Sequence, residues 1–240
     1  MSRKKYTHLF FDLDNTLWDF KANSRLAMHS TFQLMQLEEK GVDFEGFFDL
    51  YSKNNSDLWG AYRKKEIRKK DLTTQRFKLT LDKLEINGID PAEMNALYLS
   101  EMPKQSKLVD GAIDLLDYLK NKNYQLFIIT NGFSEVQYNK LKSSKLLPYF
   151  KKIFISEEIK APKPAREIFE HAIKSANARK STSLMIGDDL EVDVLGALCA
   201  GIDAVYVHHS NIPDVEMKHH KKLNKRYLAI AELQELKARL

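Results

Sequence analysis

His8-Leu9-Phe10-Phe11-Asp12-Leu13-Asp14-Asn15-Thr16 begins with a short apolar run and ends in two carboxylates two positions apart. An apolar run of this length, bounded by polar residues, predicts a strand buried on both faces. Four more such runs follow, at 125–130, 152–155, 184–187 and 204–208, each giving way to polar or glycine-containing sequence. Helical periodicity separates them over 111–121, 134–144, 165–176 and 192–200. Strands alternating with helices of about ten residues predict an α/β fold, a Rossmann-like three-layer core around a parallel sheet. Leucines at helical spacing over 228–240 predict a closing helix.

The alternation stops between the first two strands. Helical patterns fill 22–38, 44–63, 70–85 and 91–101, and breakers fall between them at Gly41, the basic stretch 63–70 and Asn87-Gly88. The chain is therefore expected to divide into an α/β core, 1–18 and 103–240, and an inserted α-helical cap, 19–102, placed over the carboxyl ends of the strands. The cap aromatics Phe44, Phe47, Phe48, Tyr51, Trp59 and Tyr62 have the spacing a small helical core needs. Trp59 and Trp18 are the two best placed to do something else. The basic segments 63–70 and 218–226 read as solvated faces.

Composition narrows the class. A chain of 240 residues with 43% apolar and 30% charged residues is ordinary for a globular protein. Its charge excess, 38 − 33 or +5, is small and dispersed, which argues against a nucleic-acid polymer as partner. Cys199 stands alone, which excludes an intramolecular disulfide and a thiolate metal cluster; beside Ala200 and Gly201 it is expected to be a buried packing residue. The first apolar run is too short for a signal-peptide core, and no run approaches a membrane span, so a cytoplasmic setting is expected.

Ligands of open α/β sheets bind beyond the carboxyl ends of the strands, so the strand ends carry the chemistry. Asp12 and Asp14 would point to one side, and both stay ionised in an apolar setting only beside a counter-charge. A hard cation such as Mg²⁺ would supply it, although the same residues also read as a polar turn with a helix cap. Thr130-Asn131-Gly132 offers a hydroxyl, amides and a close-approaching glycine to a phosphate oxygen, or is a simple turn. Pro162 and Pro164 fix one lysine, Lys163, which could neutralise phosphate or lie in solvent. After the fourth strand come Asp188, Asp189, Glu191 and Asp193. Asp188 is the better metal ligand, Asp193 is placed as a brace behind it, and Asp189 or Glu191 could cap the helix that follows.

In this order the four motifs resemble those of the haloacid dehalogenase superfamily, over nearly the whole chain and with 19–102 where that family carries a cap. The resemblance implies a Mg²⁺-dependent phosphomonoester hydrolase that forms an aspartyl-phosphate on Asp12. Asp14 would be general acid and base, holding a proton because of its carboxylate neighbour, with its main-chain carbonyl also reaching the metal. Thr130, the Asn131 amide and Gly132 would bind the phosphoryl group, and Lys163 would steady it together with Asp12. The metal site would comprise Asp12, Asp14 and Asp188, braced by Asp189 and Asp193. Stretches 14–20, 58–59, 128–134, 155–158 and 187–201 resemble the pyrimidine 5′-nucleotidases, implying a nucleoside 5′-monophosphate as substrate and Trp59 as a contact to it. Lys160 departs from that pattern, since siblings often have glycine there.

Other readings remain: a sugar-phosphate phosphatase or a phosphomutase of the same fold, or a non-catalytic binding module. A dehalogenase would not require Asp14 and Asp188. A binding module would be expected to have lost Asp12, Asp14, Lys163 or Asp188, and all four stand in the sequence.

Overall fold

β1 is His8–Phe11, with Leu9, Phe10 and Phe11 wholly buried. The computed structural model describes residues 5–209 and 216–240. The chain folds as two compact units, one running to Phe20 and resuming at Lys107, the other Lys21–Ser106.

Four helices build the second unit: α1 (Phe20–Leu34, which begins at the end of the first unit), α2 (Phe44–Arg63), α3 (Lys69–Lys83) and α4 (Pro91–Glu101). Asp43 caps α2 by accepting from the Gly46 N–H at 2.7 Å, and Asp90 caps α4, with Pro91 at the first helical position. Phe47, Tyr51, Phe77, Met94 and Tyr98 fill the interior. Arg76 is buried among them and bridges helices by donating to Asn55 Oδ1 at 3.2 Å and Asn95 Oδ1 at 2.6 Å. The aromatic spacing thus does supply a core, though Phe44, Phe48, Trp59 and Tyr62 stay partly exposed.

In the other unit β1 is followed by α5 (Ala112–Asn121), β2 (Gln125–Thr130), α6 (Ser134–Ser143), β3 (Lys152–Ile155), α7 (Ser156–Ile159), α8 (Arg166–Ser175), β4 (Ser183–Gly187), α9 (Gly196–Ala200), β5 (Asp203–Val207), β6 (Glu216–His220) and β7 (Lys225–Ile230). The strands form one sheet in the order β3-β2-β1-β4-β5-β7-β6, parallel except for the β6–β7 pair. Phe10 stacks on Phe127 at 5.0 Å, and α8 lays Ile168, Phe169, Ala172 and Ile173 over that face. Each of the larger side chains, Ile168, Phe169 and Ile173, contributes roughly 1.5–3 kcal/mol on burial.

Two expectations are corrected. Residues 228–240 are not a helix: β7 takes Lys225–Ile230 into register with β5, and only a 3₁₀ turn, Leu233–Ala238, buries Leu233 and Leu236. The ladder with two neighbouring strands overrides a local helical pattern. The basic stretch 218–226 is largely exposed, as a solvated face would be, and lies in the β6–β7 hairpin at the sheet edge. Cys199 is exposed, because α9 buries Ala197, Leu198 and Ala200 and turns position 199 outward.

Candidate active site

β1 lies between β2 and β4, with Phe11 opposite Ile128 on one side and Ile186 on the other. The loops after these three strands therefore converge. Asp12 is buried there, and Lys163 Nζ lies 2.6 Å from Asp12 Oδ1 and 2.6 Å from Asp193 Oδ1. The same ammonium donates hydrogen bonds to Asp12 Oδ1 and, at 2.8 Å, to the Ile129 carbonyl, while its contact with Asp193 is an ion pair. Asn131 fixes the lysine loop: its Oδ1 accepts from the Lys163 N–H at 2.8 Å, and its Nδ2 donates to the Lys163 carbonyl at 2.9 Å. Sequence reasoning gave Asn131 a main-chain role and did not find this side-chain latch.

Two glycines are demanded by close approach. A Cβ at Gly132 would fall 2.3 Å from Gln137, and one at Gly187 would fall 2.3 Å from Asp193. Both side chains cross the space that a larger residue would need.

Burial pushes Asp12 well above the usual carboxylate range, against the pull of Lys163, and raises Asp193 as well. Asp188 is pushed up to about 7 by burial and by the charge of Asp193. Burial would lower the Lys163 ammonium, but Asp12 and Asp193 outweigh it and the group ends up raised. Burial and the neighbouring carboxylates thus oppose the ionised form of Asp12, and Lys163 favours it. Asp12, Asp188 and Asp193 each offer an oxygen within 4.8 Å of the others. Three carboxylates around one ammonium leave uncompensated negative charge in a buried place. An all-oxygen donor set with that excess fits a hard divalent cation such as Mg²⁺.

Asp14 faces elsewhere. Its Oδ1 is 2.7 Å from Lys140 Nζ, and its Oδ2 accepts from Gln137 Nε2 at 3.0 Å. Gln137 also donates to Thr130 Oγ1 at 2.7 Å. From sequence only a like-charged neighbour was visible beside Asp14; Lys140 adds an ammonium. Neither Gln137 nor Lys140 was singled out from sequence, although their i, i+3 spacing on α6 turns them to one face. Asp188 Oδ1 accepts from the Thr16 hydroxyl at 3.1 Å. Asp189 is a helix cap, its Oδ1 taking the Glu191 and Val192 N–H groups at 3.0 and 2.9 Å. Its own N–H donates to Asp193 Oδ2 at 3.2 Å. Trp59 sits in the helical unit, half-buried and edge-on to Tyr62 at 5.6 Å.

A family model described as haloacid dehalogenase-like hydrolase matches residues 6–201. The chain belongs to the haloacid dehalogenase-like hydrolases. Among curated relatives of this hydrolase, pyrimidine 5′-nucleotidase PynA of Streptococcus pneumoniae is 36% identical over 210 residues, covering 85% of each chain. Pyrimidine 5′-nucleotidase YjjG of Escherichia coli is 32% identical over 213 residues, covering 88% of this chain and 90% of its own. The magnesium-bound crystal structure of the HAD-hydrolase YfnB from Bacillus subtilis superposes with a TM-score of 0.85 at 29% identity, covering 99% of both chains. Among the described residues, no helix is long and apolar enough to cross a membrane.

Proposed function

We propose that this hydrolase is a Mg²⁺-dependent phosphatase of nucleoside 5′-monophosphates, pyrimidine ones foremost, working in the cytoplasm on small phosphate monoesters. The observation that carries the proposal is the pairing of Asp12 with Lys163 while Asp14, two residues on, is held by other partners. One carboxylate is thereby set to attack and the other to manage protons. The nucleotidases PynA and YjjG among the relatives support the substrate class.

Phosphoryl transfer requires in-line positioning and charge neutralisation. An Asp12 oxygen attacks phosphorus and the P–O bond to the leaving group breaks, while Asp14, which pairs with Lys140 as a carboxylate and must first take up a proton, gives that proton to the departing oxygen. Asp14 then takes a proton from the water that attacks the aspartyl-phosphate, whose bond to Asp12 breaks to release phosphate. The Thr130 hydroxyl and the Asn131 N–H hold the transferring oxygens, and Lys163 balances the charge on them and on Asp12. Bound Mg²⁺, held by Asp12, Asp188 and the Asp14 carbonyl, would add charge neutralisation at the phosphoryl group.

Phosphate release from nucleoside monophosphates, sugar phosphates and an aryl phosphate, each with Mg²⁺ or chelator, tests this. Metal-dependent release led by UMP, dUMP or dTMP is the expected result. Release led by a sugar phosphate would overturn the substrate class, and equal release in chelator would overturn the metal requirement.

A further inference from the structure

We propose that Gln137 and Lys140, on one face of α6, are positioning residues that hold Asp14 and aim the Thr130 hydroxyl, and so set how well the enzyme handles poor leaving groups. The inference rests on the assignment of Asp14 as acid and base.

Both side chains are buried where a bland polar role would not hold them. Gln137 is wholly buried and Lys140 is 3% exposed. The ammonium lies 4.3 Å from the Trp18 ring centroid and 5.3 Å from that of Phe20, and the Asp14 carboxylate is its ion-pair partner at 2.7 Å. Burying an ammonium is costly unless it is paired and well placed, so the arrangement is a fixed one: an aromatic wall on one side, a carboxylate on the other. Each Asp14 oxygen has its own donor, Lys140 for Oδ1 and Gln137 for Oδ2. Rotation of the carboxyl would break one contact or both.

Gln137 does a second thing. Its amide must turn the NH₂ group toward Asp14, since the opposite orientation would set the carbonyl oxygen against a carboxylate. The second N–H of the same group then points at Thr130 Oγ1, 2.7 Å away. Gly132 N–H also donates to that oxygen, at 3.3 Å. A hydroxyl that accepts twice keeps its one proton free. Gln137 thereby leaves the Thr130 proton for a phosphoryl oxygen rather than for Asp14.

General acid help matters when the leaving group is a poor one and little when it is good. A displaced Asp14 should therefore injure an alkyl phosphate, such as a nucleoside monophosphate, more than p-nitrophenyl phosphate. A general loosening of the fold would injure both alike.

The test compares kcat/KM for dUMP and for p-nitrophenyl phosphate in wild type, Lys140→Met, Gln137→Met and Asp14→Asn, with melting temperatures measured alongside. The ratio of the two kcat/KM values should fall about 10-fold or more in Lys140→Met and Gln137→Met, in the direction taken by Asp14→Asn. That magnitude is a fraction of the roughly 10²–10⁴-fold that proton transfer is worth. An unchanged ratio in both α6 variants, with Asp14→Asn showing the drop, overturns the proposal and leaves the phosphatase reading standing. No hydrolysis by wild type, or no drop in Asp14→Asn, sinks the reading itself. Should Lys140→Met fail to fold, Lys140→Gln and the Gln137 variant carry the same comparison.

Discussion

Lys163 shares its one positive charge between Asp12 and Asp193, with Asp188 close by. The four residues lie in three separate stretches of sequence, and each was visible there as an acid or lysine beside a strand end. What the sequence did not reveal was the balance of charge, because that depends on burial and on Lys140, whose pairing with Asp14 spans 126 positions. The imbalance has a measurable sign. Asp188 keeps its proton up to about pH 7 in the fold but only to about 3.8 in the open chain. Its contribution to metal-free stability is therefore complete at low pH and lost as pH rises through 7. A divalent cation replaces the proton, so millimolar Mg²⁺ should raise the melting temperature more at pH 8 than at pH 5.5. Equal shifts at the two pH values would show that these carboxylates are not where the ion binds.

Among the elements, β1 to β5 were legible because strands buried on both faces read as unbroken apolar runs. β6 and β7 were not. The hairpin lies at the sheet edge, β6 is largely exposed, and its Lys218, His219 and His220 give no apolar alternation to read. Edge strands rich in charge are a usual guard against edge-to-edge pairing. The basic departure at Lys160 also finds its reason in an element. Lys160 closes α7 in the left-handed conformation, φ 60° and ψ 27°, and its side chain is exposed. Glycine takes that conformation without a Cβ penalty. Lys160→Gly should stabilise the fold by about 0.5–1 kcal/mol in denaturant titration, with kcat/KM for dUMP unchanged. A clear loss of activity would instead make Lys160 a substrate contact.

For the molecule as a whole, the helical unit and the α/β unit each have their own core, and the site described belongs to the α/β unit. A mostly parallel sheet with β1 between β2 and β4 gathers Asp12, Thr130, Lys163 and Asp188 from strand ends and loops scattered over more than half the chain. That convergence is the reason four individually ambiguous motifs become one site. Asp12 as the nucleophile can be tested by one near-isosteric change. In Asp12→Asn, Lys163 keeps Asp193 and the Ile129 carbonyl, so the fold should survive. Mg²⁺-dependent phosphate release from dUMP by folded Asp12→Asn should then fall to background. Substantial release by that folded variant would rule out Asp12 as the nucleophile.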